Sequence, residues 1–428
     1  MKKLLLLLIV FFVVIFAAQA QTAEQDKVRK WLPAKKIIRQ DAPLVSKSPN
    51  PLRLNIAYRN ATDYLPDTAQ VEHSPLRYLR INVHFMNASD RAHNYDGEEA
   101  IRFAKDLIDY ANQDLQKNNK LWLPYRNKLP VIPPRYQYQL SPQTTNSGDQ
   151  GIYFHYDDRL CYYIHKGPTA NLFETEVLEK YQIGADSVLN VFIMPHHPDS
   201  MKSAWYSKTA GGVGVMLGNA IKMAGMYEGH QPAWAYRGIL NHEAGHFLGL
   251  SHAFFRDGCD DTPEHGNPCW SRTTEAPCDT AASNNMMDYN ALQNALSPCQ
   301  IGTMHARMAD TNSYERRFLV KNWCTRQEGQ DITIRDTVVW KGDKDLTGHV
   351  TIVAGGVLRI EARLSLPENA RITLMPGAEL QLGNKALLHN ACGLKWEGIE
   401  APRRFFGARG KVLAEDGARI KGARFIDY

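Results

Sequence analysis

The sequence is 428 residues long, and 50 basic residues face 45 acidic ones for a formal net charge of +5. Domains typically hold about 100–200 residues, so this length predicts two or three structural units. The charges are interspersed, without a basic run or an arginine stripe, and they give no support to a nucleic-acid partner.

The first twenty residues have the three parts of a secretory signal peptide. Lys2 and Lys3 precede an unbroken apolar run over residues 4–16, and Ala18-Gln19-Ala20 supplies small residues for cleavage. An uncleaved membrane anchor is the alternative, but the run falls short of the about 20 residues that a spanning helix needs. We therefore expect a secreted protein with residues 1–20 removed and no membrane span.

Residues 21–75 are polar and punctuated by proline, which predicts a loosely ordered leader or pro-segment. Order is expected to begin at residue 77. There a half-buried strand is predicted, because apolar residues alternate with polar ones at Leu79, Ile81, Val83 and Phe85.

An amphipathic helix is predicted over residues 96–116, and Asp96 with Glu99 has the spacing of a capping box. Its apolar stripe comprises Ile101, Ala104, Ile108, Ala111 and Leu115. Further strands are predicted over residues 135–140, 152–156 and 188–194, and the glycine-flanked run 211–217 predicts an edge strand. This order of elements indicates an α/β (α+β) domain with a twisted mixed sheet.

The C-terminal part, from residue 325, has a different sequence pattern. The stretches IVAGGVLRI (352–360) and LMPGAELQL (374–382) superpose with a shift of 22 residues, and EDGARIK near Gly417 is a looser third copy. Short strands at a fixed period predict a small all-β, β-solenoid-like domain, with an ordinary β-sandwich as the alternative.

The stretch NHEAGHFLGLSH holds three histidines within residues 241–252. On a helix, His242 and His246 lie one turn apart on the same face, where two imidazoles can bind one metal ion. Gly249 can take a positive φ, end the helix and return the chain, so that His252 becomes a third ligand. Three imidazoles with an open fourth position are typical of catalytic zinc, whereas a structural zinc prefers cysteines and four protein ligands.

Glu243, beside the first histidine, is the candidate general base. A zinc ion lowers the pKa of water to about 7, and a neighbouring carboxylate can take the proton. The string H-E-x-x-H-x-x-G-x-x-H fixes five positions, so chance matches are rarer than roughly one in a thousand. The segment therefore predicts a hydrolase with one catalytic zinc.

Seven cysteines in an exported chain indicate disulfides. Four lie close together, and three pairings are open for the two bridges they predict: Cys259, Cys269, Cys278 and Cys299. The scattered Cys161, Cys324 and Cys392 leave an odd thiol.

HEAGHFLGLSH resembles the zinc signature of the metzincin peptidases, and NNMMDYN resembles their Met-turn, with Met287 as the apolar floor of the site. The finer pattern over residues 77–324 is similar to the pappalysin and cytophagalysin family. The similarity is carried by DDTPE after the third histidine, the four clustered cysteines, MDYN, and IGTMHARM after the last of those cysteines.

This resemblance implies a metzincin-like catalytic domain with an active-site helix, and Tyr289 near the zinc as an oxyanion donor. It also implies the bridges Cys259–Cys278 and Cys269–Cys299, and a calcium site for which Asp260, Asp261 and Thr262 are candidates. The alternative for Tyr289 is a plain buried tyrosine, and the alternative for the calcium site is a solvated acidic turn. Some relatives that cut beside arginine or lysine carry an aspartate after the Met-turn tyrosine, and residues 290–302 contain no acidic residue.

The function predicted is therefore a secreted zinc endopeptidase acting on protein or peptide substrates, with an extended substrate bound along residues 212–217. The expected organisation is a signal peptide (1–20), a leader (21–75), a catalytic domain (76–324) and the β domain (325–428). An adhesive binding protein with a residual metal site is the alternative. It would neither hold about one zinc per chain nor trim its leader, and it would lose activity without residues 325–428. The sequence does not indicate an oligomeric state.

Overall fold

A computed structural model describes residues 61–427, except residues 92–93, 144–147, 165–169, 203–211, 230 and 404–408. The predicted signal peptide, and the predicted leader as far as residue 60, lie outside the described residues. In the described ranges, no helix combines the length and the apolar character needed to cross a bilayer.

Residues 61–75 are packed, in contrast to the loosely ordered leader expected there. They form two 3-10 turns, Ala61–Tyr64 and Val71–His73. A Cβ atom on Gly302 would lie 2.1 Å from the carbonyl oxygen of Ala61, so the first turn lies directly against that glycine. Ordered structure therefore begins before residue 77.

Six strands form one mixed sheet in the described part of the chain. They are β1 (Arg77–Asn87), β2 (Tyr136–Leu140), β3 (Ile152–Tyr156), β4 (Leu189–Met194), β5 (Val213–Leu217) and β6 (Ala220–Ala224). Their order is β2-β1-β4-β6-β5, with β3 also beside β1, and only β5 is antiparallel to its neighbour. The predicted strands are all present and β5 lies at the edge, whereas β6 was not predicted.

β1 is buried on both faces, so the prediction of a half-buried strand is wrong. Asn82 and His84, on its polar face, have no solvent-exposed surface. The His84 ring lies 2.8 Å (Nε2) from Asn190 Oδ1 and 2.9 Å (Nδ1) from His155 Nε2. Burial lowers the pKa of His84 to about 3, so this polar row is neutral and hydrogen-bonded.

The helices pack on the opposite, apolar face of the sheet or connect the strands. They are α1 (Gly97–Lys117), α2 (Glu176–Tyr181), α3 (Pro198–Met201), α4 (Met226–Gly229), α5 (Arg237–Phe247) and α6 (Pro298–Ala309). The main hydrophobic core lies between the sheet, α1, α5 and α6. The 3-10 turns Ala233–Ala235 and Glu315–Phe318 flank this layer.

α1 lacks the capping box that its sequence predicts. Asp96 is its N-cap residue but makes no side-chain cap bond, and its carboxylate accepts a hydrogen bond from the Tyr156 hydroxyl at 2.8 Å. A complete capping box is instead present at α6, between Ser297 and Gln300.

Thirteen short strands follow in the described C-terminal residues. They are β7 (Ile332–Ile334), β8 (Thr337–Trp340), β9 (Lys344–Asp345), β10 (Val350–Ile352), β11 (Val357–Ile360), β12 (Arg363–Ser365), β13 (Arg371–Leu374), β14 (Glu379–Leu382), β15 (Leu387–His389), β16 (Trp396–Glu400), β17 (Lys411–Ala414), β18 (Arg419–Ile420) and β19 (Ala423–Asp427). They form three parallel sheets, β19-β16-β13-β10-β7, β17-β14-β11-β8 and β18-β15-β12-β9, around a second hydrophobic core. Every third strand returns to the same sheet, which is the arrangement of a β-solenoid.

The predicted shift of 22 residues holds between two coils. Ile352 pairs with Leu374, and Leu358 pairs with Leu380. EDGARIK belongs to a later coil but lies on a different sheet, where Arg419 pairs with Leu387, a shift of 32 residues. The spacing between coils therefore varies along the chain, and the third copy is not equivalent to the first two.

Three disulfides are present in the described residues: Cys259–Cys299, Cys269–Cys278 and Cys324–Cys392. The pairing implied for the clustered four, Cys259–Cys278 with Cys269–Cys299, is therefore wrong. One bridge closes a short loop, and the other joins the segment after the third histidine to the first turn of α6. Cys161 is the odd thiol and is buried.

A buried ion cluster joins the solenoid to the layer that carries the mixed sheet. The Asp345 carboxylate, 1% exposed, accepts hydrogen bonds at 2.6 Å from Arg316 and from Arg363. Arg77 at the start of β1 donates to the Asp345 carbonyl oxygen at 2.5 Å. The guanidinium of Arg316 also lies 4.4 Å from the centre of the Trp323 ring.

Candidate active site

The histidine segment adopts the predicted helix and turn. α5 ends at Phe247, and Gly249 has a φ of +95°, a conformation that residues with a Cβ atom rarely adopt. The Leu250 amide donates to the Gly245 carbonyl at 3.0 Å and closes the turn. The chain then reverses and brings His252 back towards the helix.

The three imidazoles converge on one point. The Nε2 atoms of His242 and His246 lie 3.1 Å apart, and the Nε2 atom of His252 lies 3.2 Å from the first and 3.1 Å from the second. At a Zn–N distance of about 2.0–2.1 Å, two ligands of a tetrahedral ion lie about 3.3–3.4 Å apart. The donor set and its spacing therefore fit one zinc ion, with all three rings buried.

Backbone carbonyls orient two of these rings. Nδ1 of His242 donates to the Met286 carbonyl at 2.7 Å, and Nδ1 of His246 donates to the Leu250 carbonyl at 2.9 Å. This fixes the tautomer that leaves an Nε2 lone pair for a metal. Burial lowers the pKa of His242 to about 3 and that of His246 to about 4, so both are neutral at pH 7, as ligation requires.

Glu243 lies between α5 and the edge strand β5. Glu243 is 7% exposed, and burial raises the pKa of its carboxyl to about 8. A hydrogen bond to the Met216 backbone lowers this pKa, but its effect is smaller than that of burial. A positive charge bound at the adjacent imidazoles would pull that pKa down again. The protonation state of the Glu243 carboxyl therefore depends on whether a cation is bound at the three histidines.

Gly214 in β5 permits this arrangement. A Cβ atom at Gly214 would lie 2.8 Å from Cγ and 2.9 Å from Oε1 of Glu243, and 2.7 Å from Ile239. Carbon atoms do not approach so closely without displacement. Residue 214 must be glycine for helix and strand to pack with Glu243 in this position.

We expect Gly214→Ala to lower the predicted peptidase activity, measured as kcat/KM for casein, by roughly 100-fold, because the added methyl group displaces the carboxylate by about 1 Å. Metal content should stay at the wild-type level, since the atoms nearest to the added methyl group belong to Ile239 and Glu243 and not to the three imidazoles. Gly266→Ala is the matched control, because a Cβ atom there meets no atom within 4 Å. Equal activity of the two variants would contradict the role given to Gly214.

The predicted Met-turn lies beneath the histidines. A Cβ atom at Gly245 would lie 2.4 Å from Sδ of Met287, so this methionine packs directly under α5. The partly exposed Tyr289 ring has its centre 4.8 Å from that of His252 and 5.9 Å from that of His242. The structure thus brings Glu243, Tyr289 and the three histidines together.

The calcium candidates do not form a cluster of carboxylates. Asp260 is exposed, while the Asp261 carboxylate accepts from the Cys299 amide at 2.9 Å and the Thr262 hydroxyl donates to Asp257 at 2.8 Å. Among the described residues, the histidine triad and the group Cys259, Asp261 and Cys299 are the clusters with metal-ligand side chains. The second contains a disulfide, so it offers no thiolate.

Two contacts of the site were missed by the sequence reasoning. Asn241, fully buried on α5, accepts a hydrogen bond from the Tyr138 hydroxyl at 2.9 Å and donates to the Ala111 carbonyl, which fixes the helix against β2 and α1. Gln293 places its amide nitrogen 3.1 Å from Nδ1 of His242. A polar asparagine on a helix that is otherwise buried was the available signal for Asn241. No local sequence feature marks Gln293.

Part of the chain is similar to known proteins. Residues 175–309 match the family model Peptidase_M43, described as pregnancy-associated plasma protein-A. A search of curated proteins finds no match. Two similar solved structures are mature mirolysin of Tannerella forsythia in complex with a cleaved peptide (13% identity) and mirolysin in complex with compound 9 (15% identity). In both cases the TM-score is 0.40, and the similarity covers 57% of this chain and 96% of the other.

Proposed function

We propose that this chain, a zinc metallopeptidase of the pappalysin type, is a secreted endopeptidase that cleaves protein substrates with Glu243 as general base. The observation that carries the proposal is the convergence of three buried imidazole Nε2 atoms within 3.2 Å of one another, next to a buried carboxyl. Among the described residues no fourth metal-ligand side chain joins the three imidazoles, and this leaves a position open for substrate and water.

His242, His246 and His252 would hold the zinc ion. When bound, zinc supplies Lewis acidity that polarises the scissile carbonyl and acidifies water. Glu243 accepts the proton of the attacking water and delivers it to the leaving amine, so one carboxyl serves as base and then as acid. Tyr289, whose ring lies against that of His252, donates its hydroxyl hydrogen bond to the developing oxyanion.

The substrate backbone binds along β5. Among the described residues, β5 pairs with β6 on one side and ends the sheet on the other. An extended peptide can add to such an edge through main-chain hydrogen bonds. Because β5 also contacts Glu243 through Gly214, a peptide bound there would lie next to the proposed base.

Secretion is supported by the three disulfides, which persist in oxidising compartments. The proposed catalytic and β domains are supported by two separate hydrophobic cores, one over residues 79–323 and one over residues 332–401.

Calcium binding near Asp260, Asp261 and Thr262 remains a proposal, since backbone carbonyls as well as carboxylates bind this ion. Isothermal titration of chelated protein with calcium would test it, and no heat above that of dilution would reject it.

The function is tested by metal analysis together with cleavage of a proteome-derived peptide library. We expect about one zinc per chain, and release of new peptide termini that stops when a chelator removes the metal and returns when zinc is added. Mass spectrometry of the products reports activity and metal dependence in one measurement. Cleavage that persists in the fully demetallated protein would reject the proposed function.

A further inference from the structure

The turn at Gly249 carries the chain from the second histidine to the third. The Gly249 amide donates to the His246 carbonyl at 3.0 Å, and the Leu250 carbonyl accepts from the His246 ring at 2.9 Å. A glycine in the left-handed region has no side chain to pack against its surroundings, and it loses more conformational freedom on folding than any other residue. A second segment packed against this turn therefore decides how firmly His252 stays beside the other two imidazoles.

That second segment is α6, which contacts the turn through Arg307. A Cβ atom at Gly249 would lie 3.0 Å from Nε and 3.4 Å from Cζ of Arg307. The guanidinium group thus occupies the space beside Gly249 into which the side chain of any other residue would project. Removing this group would leave a gap next to a residue that has no side chain to fill it.

The guanidinium group of Arg307 is held in turn by Glu315, the first residue of the 3-10 turn Glu315–Phe318. Nη1 of Arg307 donates to Oε1 of Glu315 at 3.3 Å, and the two side chains are 14% and 7% exposed. Water and salt screen an ion pair at this depth much less than one at the surface. The pair therefore restricts rotation of the Arg307 side chain over Gly249.

The 3-10 turn is fixed against α6 by its second residue. Nη1 of Arg316 donates to the Met308 carbonyl at 2.9 Å and to the Asp345 carboxylate at 2.6 Å. Met308 directly follows Arg307, so both members of the Arg307–Glu315 pair are attached to the same end of α6. The position of the guanidinium group is thus set by rigid elements on both sides.

A disulfide attaches the other end of α6 to the segment that follows the third histidine. Cys299, in the first turn of α6, is bonded to Cys259. Eight residues of helix separate Cys299 from Arg307, a distance of about 12 Å. α6 therefore holds the histidine segment before His252, through Arg307, and after His252, through the disulfide.

We propose that Arg307 is a positioning residue for the third zinc ligand. Its guanidinium group, held by Glu315, packs on Gly249 and keeps the turn closed, so that His252 stays beside the other two histidines. This inference rests on the proposed function, in which the three histidines hold zinc. It assigns Arg307 a role in retaining the metal, which it performs through the turn and without touching substrate.

The test measures the zinc dissociation constant of the full chain by competition with a chelator of known affinity. Arg307→Met removes the guanidinium group and should weaken zinc binding roughly 10-fold to 100-fold, as loss of residues that orient metal ligands does. Arg307→Lys restores the positive charge opposite Glu315 and should bind zinc more tightly than Arg307→Met. Arg359→Met, the same change at a partly exposed pair in the solenoid, should bind zinc like the wild type.

Leu178→Ala controls for a general loss of stability. Leu178 is buried in the hydrophobic cluster of Met86 and Phe192, on the face of the sheet away from α5. The melting temperature of the metal-free Leu178→Ala variant should fall, because the substitution leaves a cavity. Its zinc dissociation constant should nevertheless equal that of the wild type, since this cluster does not contact the Gly249 turn.

An unchanged zinc dissociation constant in folded Arg307→Met overturns the inference, and so does an equal weakening of zinc binding in Leu178→Ala. If Arg307→Met does not fold, Glu315→Gln decides, because it keeps the size of the side chain and removes the charge that holds Arg307. Zinc binding at the wild-type level in Glu315→Gln then overturns the inference. A wild type that binds zinc but cuts no peptide rejects the peptidase function alone, whereas a wild type that binds no zinc rejects both.

Discussion

Glu243→Gln is expected to lower kcat/KM for peptide hydrolysis by roughly 10²–10⁴-fold while zinc content stays at the wild-type level. The amide has the size of the carboxyl, so the close packing against Gly214 is preserved. It cannot accept a proton from water, and the three histidines are unchanged. Single-turnover assays with a fluorogenic peptide, together with metal analysis, measure the effect.

Glu264→Gln provides the control, because it makes the same chemical change at an exposed carboxyl in the loop after the third histidine. Its activity should match that of the wild type. Retained turnover in a zinc-loaded Glu243→Gln variant would show that another group takes the proton. A loss of zinc in that variant would show instead that Glu243 supports the metal ligands rather than the reaction.

Asp345→Asn is expected to destabilise the protein by about 3–5 kcal/mol, since it removes the carboxylate paired with the buried guanidinium of Arg316 and leaves Arg363 only its longer pair with the partly exposed Asp343, at 3.4 Å. Burial alone would raise the pKa of Asp345, but Arg363 and Arg316 outweigh it, and the pKa lies well below its usual range. The resulting stabilisation is complete above the unfolded pKa of about 3.9 and is lost as the pH falls below it towards the folded value.

Chemical denaturation followed by tryptophan fluorescence measures this loss at pH 7 and again near pH 3, where the two proteins should differ less. Glu361→Gln is the control within the same solenoid, because its pair with Arg359 is about one-third exposed and worth less than about 1 kcal/mol. Equal destabilisation by the two substitutions would contradict a special role for the buried cluster.

The convergence of the three histidines could be predicted from the sequence because their spacing is local. A helix fixes residues 242 and 246 on one face, and the single glycine at 249 accounts for the return of residue 252. Each step involves a few neighbouring residues and one geometric rule. The contacts of Gly214 and of Gln293 with α5 join segments tens of residues apart, and no local pattern marks them.

The disulfides show the same limit. Four cysteines allow three pairings, and the choice depends on which Cα atoms come within bridging distance after folding, 5.6 Å for Cys259 and Cys299. Cys324 and Cys392 are 68 residues apart in sequence, yet the solenoid brings them to 5.5 Å. The implied pairing failed because it was taken from a resemblance and not from this fold.

Two further differences come from buried polar groups. β6 was missed because Lys222 stands at its centre, and its ammonium group is buried and donates to the carbonyl oxygens of Asn171 and Glu174. The polar residues of β1 indicated a solvent-facing side, but a third hydrophobic cluster, which includes Met86 and Phe192, covers that face of the sheet. Alternation of polarity predicted the strand correctly and its surroundings incorrectly.

The bridge between Cys324 and Cys392 has a consequence for a protease that digests copies of itself. A nick anywhere in the 67 residues between these cysteines, 325–391, leaves both pieces covalently attached. Such a clipped enzyme migrates as one band on a non-reducing gel and as two after a thiol is added. Autolysis in this region would therefore release no fragment until the protein meets a reducing environment.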